Sequence, residues 1–367
     1  MANDRISSTA YDILLQQSGV FPSGYYATQT ENPNLKWEST VQYNAGIDYS
    51  VLNNRLFGNI DGYIKDVKDM LINPAYLGAM GEGGASWLNG PSLRNWGMEF
   101  LFGWRDNLKC GFDYSATLNF DFFRNRVTYL PETATGSYTH TTTENLVEAR
   151  KPYGSRVGYV ADGLFQNRDE VLASGQTGAR VGGLRYADLN GDGRITEADQ
   201  TWIYNPVPDV AFGLNLEGRY KNFDLQMFWQ GVIGQDVYND QKYQNDFWSV
   251  VDAGSNKGER VLDAWLPVVN TSSTIPMLST NNTGDEGRAS TYFVENGSYC
   301  KLRTLQLGYS LPSKVLNSLR MTKARFYVSG QNLLTIKSKS LTCQDPENPN
   351  WAYPLSTSVS FGLQIDF

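Results

Sequence analysis

The sequence predicts an all-β protein, an antiparallel up-and-down transmembrane β-barrel built from about nine long strands with long extracellular loops. Three observations predict it. Apolar and polar residues alternate with period two over stretches of about ten residues, as a pleated strand with two unlike faces requires. Aromatic residues are abundant (22 Tyr, 17 Phe, 9 Trp) and Gly reaches 35 of 367, while helix formers dominate nowhere. The connections between the alternating stretches are short and long in turn, which suits a barrel with tight turns at one end and large loops at the other.

In order along the chain, the alternation predicts strands at about 40–51, 55–66, 93–104, 109–128, 209–220, 223–234, 298–311, 322–333 and 356–367. Most reach the ~9–11 residues that cross a bilayer at a tilt. In the clearest, Phe112, Tyr114, Ala116, Leu118, Phe120 and Phe122 occupy one face and Asp113, Ser115, Thr117, Asn119 and Asp121 the other. The stretch 93–104 sets Trp96, Met98, Phe100, Phe102 and Trp104 against Asn95, Gly97 and Glu99. The stretch 223–234 sets Leu225, Met227 and Trp229 against Asp224, Gln226 and Gln230, and the last segment alternates up to its terminal Phe367. Large residues towards lipid and hydrogen-bonding residues towards a wet lumen explain both rows together. Tyr49, Trp104, Tyr220 and Trp229, near strand ends, suit interfacial girdles, with plain packing as the alternative. Short connections fall at 52–54, 105–108, 221–222 and 312–321, long ones at about 67–92, 129–208, 235–297 and 334–355. A secreted β-sandwich would also alternate, but it has no reason to sort its loops by length.

The remaining composition narrows the function. Net charge is −7 with 31 Lys+Arg against 38 Asp+Glu, so no nucleic-acid partner is expected. No apolar run approaches ~18 residues, so a membrane role must use strands. Ala2-Asn3-Asp4-Arg5 after Met1 lacks the apolar region of a secretory leader. Cys110, Cys300 and Cys343 form no CxxC pair, which indicates neither a disulfide framework nor a zinc site. His140, the single histidine, stands in a Thr-rich stretch and reads as a solvated loop residue.

Several segments together resemble a known family. They are Asn32-Pro-Asn-Leu-Lys-Trp-Glu38, the strand Gln42–Asp48, Tyr63-Ile-Lys-Asp-Val-Lys-Asp-Met-Leu71, Gly158-Tyr-Val-Ala-Asp-Gly-Leu-Phe165 and Asp188-Leu-Asn-Gly-Asp-Gly193. Further along come Tyr220-Lys-Asn-Phe-Asp-Leu225 leading to Trp229-Gln-Gly231, then Tyr299 to Pro312, Ser329-Gly-Gln-Asn-Leu-Leu334 and Phe367. In this order they resemble the C-terminal barrel portion of SusC/RagA-type TonB-dependent outer-membrane transporters, over nearly the whole chain. The resemblance implies a multi-pass barrel in the cell outer membrane of a Gram-negative bacterium. It further implies nutrient uptake of an oligosaccharide or sometimes a peptide, with outer-membrane lipid around the strands. A SusD-like surface lipoprotein would close over the loops, and the TonB complex would act through an N-terminal part. Such transporters begin with a signal peptide, an N-terminal extension and a plug domain, none of which is visible here. The nine strands are therefore expected to be the last nine of a 22-stranded barrel, residues 1–39 the remainder of an extracellular loop, and the chain a C-terminal fragment.

One motif carries site chemistry. Asp188, Asn190, Asp192, Arg194, Thr196 and Asp199 fit the spacing of an EF-hand loop, with Gly193 at the sharp turn and the Arg194 carbonyl as a backbone donor. That pattern is expected to hold a structural Ca2+ that pins the long loop. Asp199 replaces the usual bidentate Glu, which lowers the expected affinity, and the plainer reading is that these residues only make Asx-turns. Trp202, Tyr204, Tyr238, Tyr243 and Trp248 are candidate substrate-binding residues that would stack on sugar, against packing among the loops or on the lid as the bland account. Gly78–Gly84 lacks the Lys of a phosphate loop, and the sequons at Asn270, Asn281 and Asn296 carry little weight.

Two competing classes remain. A secreted, calcium-stabilised glycan-binding or adhesion module is the alternative to a transporter. A β-structured hydrolase using Asp113, Asp121 or Asp224 is disfavoured, since lumen-facing acids explain those residues more simply.

Overall fold

A computed structural model describes residues 10–14, 24–29, 31–72, 87–130, 151–247, 257–279, 287–349, 353 and 355–367. His140, the glycine-rich 78–84 segment, Trp248 and Asn281 lie outside them. Nine long strands form one antiparallel sheet: β1 (Ser39–Val51), β2 (Leu56–Lys68), β3 (Ser92–Leu108), β4 (Phe112–Tyr129), β5 (Val210–Tyr220), β6 (Phe223–Ile233), β7 (Tyr299–Ser310), β8 (Lys323–Lys337) and β9 (Ser358–Asp366). Each is hydrogen-bonded to its neighbour in sequence, so the order is an uninterrupted meander from β1 to β9. All nine expected strands form; β3 and β8 run four residues past their expected C-terminal ends at 104 and 333.

The registers show why the sheet has two faces. Across β4 and β5, Phe120 meets Phe212, Leu118 meets Leu214, Ala116 meets Leu216 and Phe112 meets Tyr220. The row continues through Leu214–Trp229 and Leu216–Met227 to Met227–Leu305 and Leu225–Leu307, then Leu307–Val328 and Val328–Phe361. The other face pairs Thr117 with Asn215, Ser115 with Glu217, Gln226 with Gln306, Ser329 with Ser360, and Arg325 with Gln364. A slip of one residue at any pair would turn polar groups onto the apolar face, so the alternation itself holds the register. The apolar face is left uncovered: Phe361 is 81% exposed, Phe223 53% and Leu307 52%. In water a face of that size would drive association.

Short turns are built for left-handed backbone. Leu52, Asn53 and Asn54 all have positive φ, as does Lys221, and Gly111 takes φ +78° beside Cys110. The expected turn 312–321 differs, because it contains a helix, Ser313–Leu319, entered after Pro312 and closed by left-handed Arg320. Gly308 allows a close approach. The ion pair of Asp224 on β6 with Arg325 on β8 passes directly over it, where any β-carbon would collide with both side chains.

Two compact units divide the chain: Met1–Ala45, Gly62–Gly97 and Arg124–Tyr153 in one, Gly46–Asp61, Met98–Phe123 and Gly154–Phe367 in the other. In the first, Arg94 forms a two-pronged ion pair with Asp66 (2.6 and 2.8 Å), and the Asn89 side chain exchanges hydrogen bonds with the backbone of Lys36 (2.8 Å each). Residues 1–39, expected as loop, include a hairpin of Ala10–Leu14 with Gly24–Gln29. In the second unit the main buried core lies in the long loops. Tyr159, Leu164, Leu184, Tyr186, Ile195, Phe247, Trp265 and Phe293 pack together there, with five half-buried residues against them.

Candidate functional site

Within loops 130–209 and 234–298 the described residues around Tyr159, Ile195, Phe247, Trp265 and Phe293 pack on a core of their own, which is what gives side chains there fixed positions. Trp265, 1% exposed, donates its indole N–H to Gln166 Oε1 (3.0 Å). It sits against Gly182, whose φ of +73° and lack of a β-carbon (which would lie 2.6 Å from the indole) leave room for the ring. Phe247 and Phe293 lie tilted at 50° with centroids 6.0 Å apart, beside Tyr243 and Tyr292.

The segment Asp188–Asp199 is anchored to that core by buried Ile195, and its backbone at Gly193 touches Gly175. Asp188 accepts N–H groups from Gly191 (2.7 Å) and Gly193 (2.8 Å). Asn190 accepts from Asp192 N–H (2.9 Å) and donates to its carboxylate (3.1 Å), while Asp192 accepts from Arg194 N–H (2.8 Å). Thr196 caps the 3₁₀ turn Glu197–Asp199, and Asp199 returns a bond to Thr196 N–H (2.8 Å). Asp199 is fully buried and also accepts from Leu189 and Asn190 N–H; together these N–H groups hold its carboxyl below the usual range, with Thr196 the largest influence. Asp188, Asn190 and Asp192 are exposed, and each of their oxygens that takes one N–H keeps a second lone pair. That donor set fits Ca2+ chemistry. Among the described residues no three His, Cys, Asp or Glu side chains group closely around one point.

The aromatic candidates separate. Tyr204, on the strand Thr201–Tyr204, and Tyr238, on Asp236–Tyr238, meet edge to face at 6.2 Å and line a groove of ≈ 460 Å³. Tyr243 lies 6.3 Å from Phe247 and 6.1 Å from Phe293, packed on the loop core. Trp202 is half-buried on its strand, paired with Val157, and is outside the groove lining. Sequence reasoning missed Arg156, whose guanidinium stands 4.6 Å from the Tyr238 ring centre and 5.9 Å from that of Tyr204. It also missed Asp236 and Asp240, which border the same groove. No local spacing signals them, because two separate loop segments supply them and a third supplies Tyr204. Burial, with the neighbouring Asp209 charge adding to it, pushes the Asp236 carboxyl up, and burial pushes the Tyr238 hydroxyl up to about 12.

One wall of the groove is held by a buried charge network. Lys301 on β7 donates to Asp345 Oδ1 (2.6 Å) and Glu347 Oε2 (2.7 Å), with only 3% of its side chain exposed. Tyr299 donates to Glu347 Oε1 (2.6 Å), Arg303 pairs with the same carboxylate, and Arg303 Nε reaches Gln230 (3.0 Å). Loop 338–349 is thereby tied to the polar face of the sheet. Nearby, Lys242 lies 3.4 Å from Glu295, and Asp246 accepts from Tyr292 (2.5 Å) and pairs with Arg260 (3.3 Å).

A meander of bilayer-length strands with one apolar and one hydrogen-bonding face, short turns at one end and folded loops at the other, defines a transmembrane β-barrel protein. The family model described as TonB dependent receptor-like, beta-barrel, matches residues 4–333, and the chain belongs to that family. It is 32% identical over 351 residues to TonB-dependent receptor P3 of Formosa agariphila, covering 90% of this chain and 33% of that protein. It is 28% identical over 361 residues to TonB-dependent receptor SusC of Bacteroides thetaiotaomicron, covering 95% of this chain and 34% of SusC. A solved structure of the RagAB peptide transporter superposes with a TM-score of 0.76 at 21% identity, over 98% of this chain and 38% of that one. The chain thus spans about a third of the length of the curated relatives it matches. The family consists of transporters, not enzymes, which removes the hydrolase reading of Asp113, Asp121 and Asp224.

Proposed function

We propose that the chain is the C-terminal part of the barrel of an outer-membrane transporter that imports a large nutrient, an oligosaccharide in preference to a peptide. A SusD-like lipoprotein would cover its long loops, and the TonB complex would energise it through a segment outside this chain. The two-faced meander is the observation that carries this reading: it needs lipid on one side and water on the other. The loop core and the groove above β7 supply what a binding mouth requires, side chains held in place by packing. The test is deletion of the gene followed by uptake of fluorescent oligosaccharides, with affinity capture of the tagged protein from outer membranes. Loss of uptake of one glycan, and co-purification of a surface lipoprotein, are the expected results. Unchanged uptake of every glycan, with the protein recovered from the soluble fraction, would sink the reading.

The Asp188–Asp199 loop is proposed to hold a structural Ca2+ through Asp188, Asn190, Asp192 and the Arg194 carbonyl. Exposed oxygens at EF-hand spacing and the left-handed Gly191 and Gly193 support it. The ion would add positive charge between carboxylates and stiffen the loop. Calorimetric titration of the intact protein should show heat that disappears in Asp188→Ala plus Asp192→Ala; no heat in the parent protein counts against the ion.

A further inference from the structure

The groove between Arg156, Tyr204 and Tyr238 has a chemistry more specific than an aromatic platform. Arg156 is exposed, rests over two tyrosine rings, and is ion-paired with no described carboxylate, so its forked N–H donors are available to a ligand. Asp240 is exposed at the first turn of the helix Asp240–Asp246. Asp236 uses Oδ2 to accept Asn205 N–H (3.0 Å) and keeps its other oxygen. Glu347, on the same rim, is matched by Lys301 and Arg303 and adds no free charge. The groove therefore offers one planar donor fork, two carboxylate acceptors and ring faces, with an uncompensated negative balance.

Building on the transport reading above, we propose that this groove is a subsite for an uncharged saccharide unit. Arg156 donates to one pair of adjacent hydroxyls, Asp236 and Asp240 accept from others, and the two carboxylates exclude acidic sugars. The Arg156 guanidinium and the Asp240 carboxylate each present two atoms side by side, which matches vicinal hydroxyls on a ring, and Asp236 adds its one remaining oxygen. A uronate or sulfate entering the groove would face two acids against one base, a repulsion strengthened by partial exclusion of water. The tyrosines fix the arginine that reads the sugar and line the groove with apolar ring surface beside it.

The test uses the intact transporter in detergent and calorimetric titration. The probes are neutral hexasaccharides (gluco-, xylo-, manno- and galacto-configured), hexagalacturonate and hexamannuronate as acidic counterparts, and a neutral Gly-Ser hexapeptide. At least one neutral hexasaccharide should bind and both acidic ones should not. Arg156→Ala and Tyr204→Ala should each weaken the neutral ligand by roughly ten- to a hundredfold. Asp236→Asn plus Asp240→Asn should admit the acidic ligands. If the protein imports a glycan but these variants bind it as the parent does, or if acidic or peptide probes bind equally well, the subsite is wrong and the transport reading stands. If no probe binds while cells still import a glycan, the subsite again fails alone. Absence of both binding and import removes the two together.

Discussion

Replacing Lys301 by Met tests whether loop 338–349 is held by charge. In the folded protein the Lys301 ammonium lies between Asp345 and Glu347, with side-chain exposures of 3%, 7% and 22%. Removing one partner of a buried ion pair costs about 3–5 kcal/mol, because the other is left charged and out of water. Glu347 retains Arg303 and Tyr299, so the loss falls mainly on Asp345. Among the described residues Asp345 then keeps only N–H groups, those of Glu347 (3.0 Å) and Leu355 (3.4 Å). The lower figure, about 3 kcal/mol, is then appropriate, and it corresponds to roughly a hundredfold increase in local opening. Hydrogen exchange of the intact protein in detergent reads this directly. Amides such as Leu341, bonded to Ser338, and Asn348, bonded to Asp345, should lose about two decades of protection while β5 and β6 are unchanged. Adding Asp345→Asn should recover part of the loss by removing the stranded charge. Unchanged protection in Lys301→Met would mean that the network is solvated and the loop is held by other contacts.

Acidification should act in opposite directions on two neighbouring loops. Burial opposes it, but Lys301 holds the Asp345 and Glu347 carboxyls below their ordinary values of 3.8 and 4.5, so their stabilisation is present above those values and lost as pH falls through the lowered ones. Burial raises the Asp246 carboxyl against the pull of Arg260, Tyr292 and Lys242, so its contribution is complete below 3.8 and lost as pH rises through the raised value. Protection factors corrected for intrinsic rate should therefore rise in 240–246 as pH falls from neutrality towards 3.8, before they fall in 338–349 at still lower pH; the reverse order would contradict both assignments. Gly308→Val should separate Asp224 from Arg325 and cost about 1–3 kcal/mol in denaturant unfolding, with no further loss when Arg325→Met is added; a fully additive double variant would refute the crossing. Maleimide should label Cys110, exposed in its turn, in the folded protein, whereas Cys343 (1% exposed, its thiol pushed up by burial to about 11) should react only after denaturation. In whole cells, labelling of Cys110 by an impermeant reagent added outside would invert the proposed orientation of the turns.

The sequence by itself determined the strands, their faces and the family. Period-two alternation in segments such as Phe112–Phe122 survives without tertiary context, because a pleat sends neighbours to opposite sides whatever surrounds it. The short turns were legible for the same local reason, apart from the helix Ser313–Leu319, which hides in a segment too short for a helical period to register. The Asp188–Asp199 loop was legible as a motif because its bonds are local, yet the buried position of Asp199 came only with the fold.

Only the tertiary structure decided which aromatic residues share a site. It set Tyr204 beside Tyr238, sent Tyr243 into the loop core, and brought Arg156, Asp236 and Asp240 to one groove. It likewise assembled Lys301, Asp345 and Glu347 from a strand and a distant loop. Strand faces follow from bonds between adjacent residues, whereas a groove follows from how loops pack across many intervening residues, and no pattern within one segment records that packing.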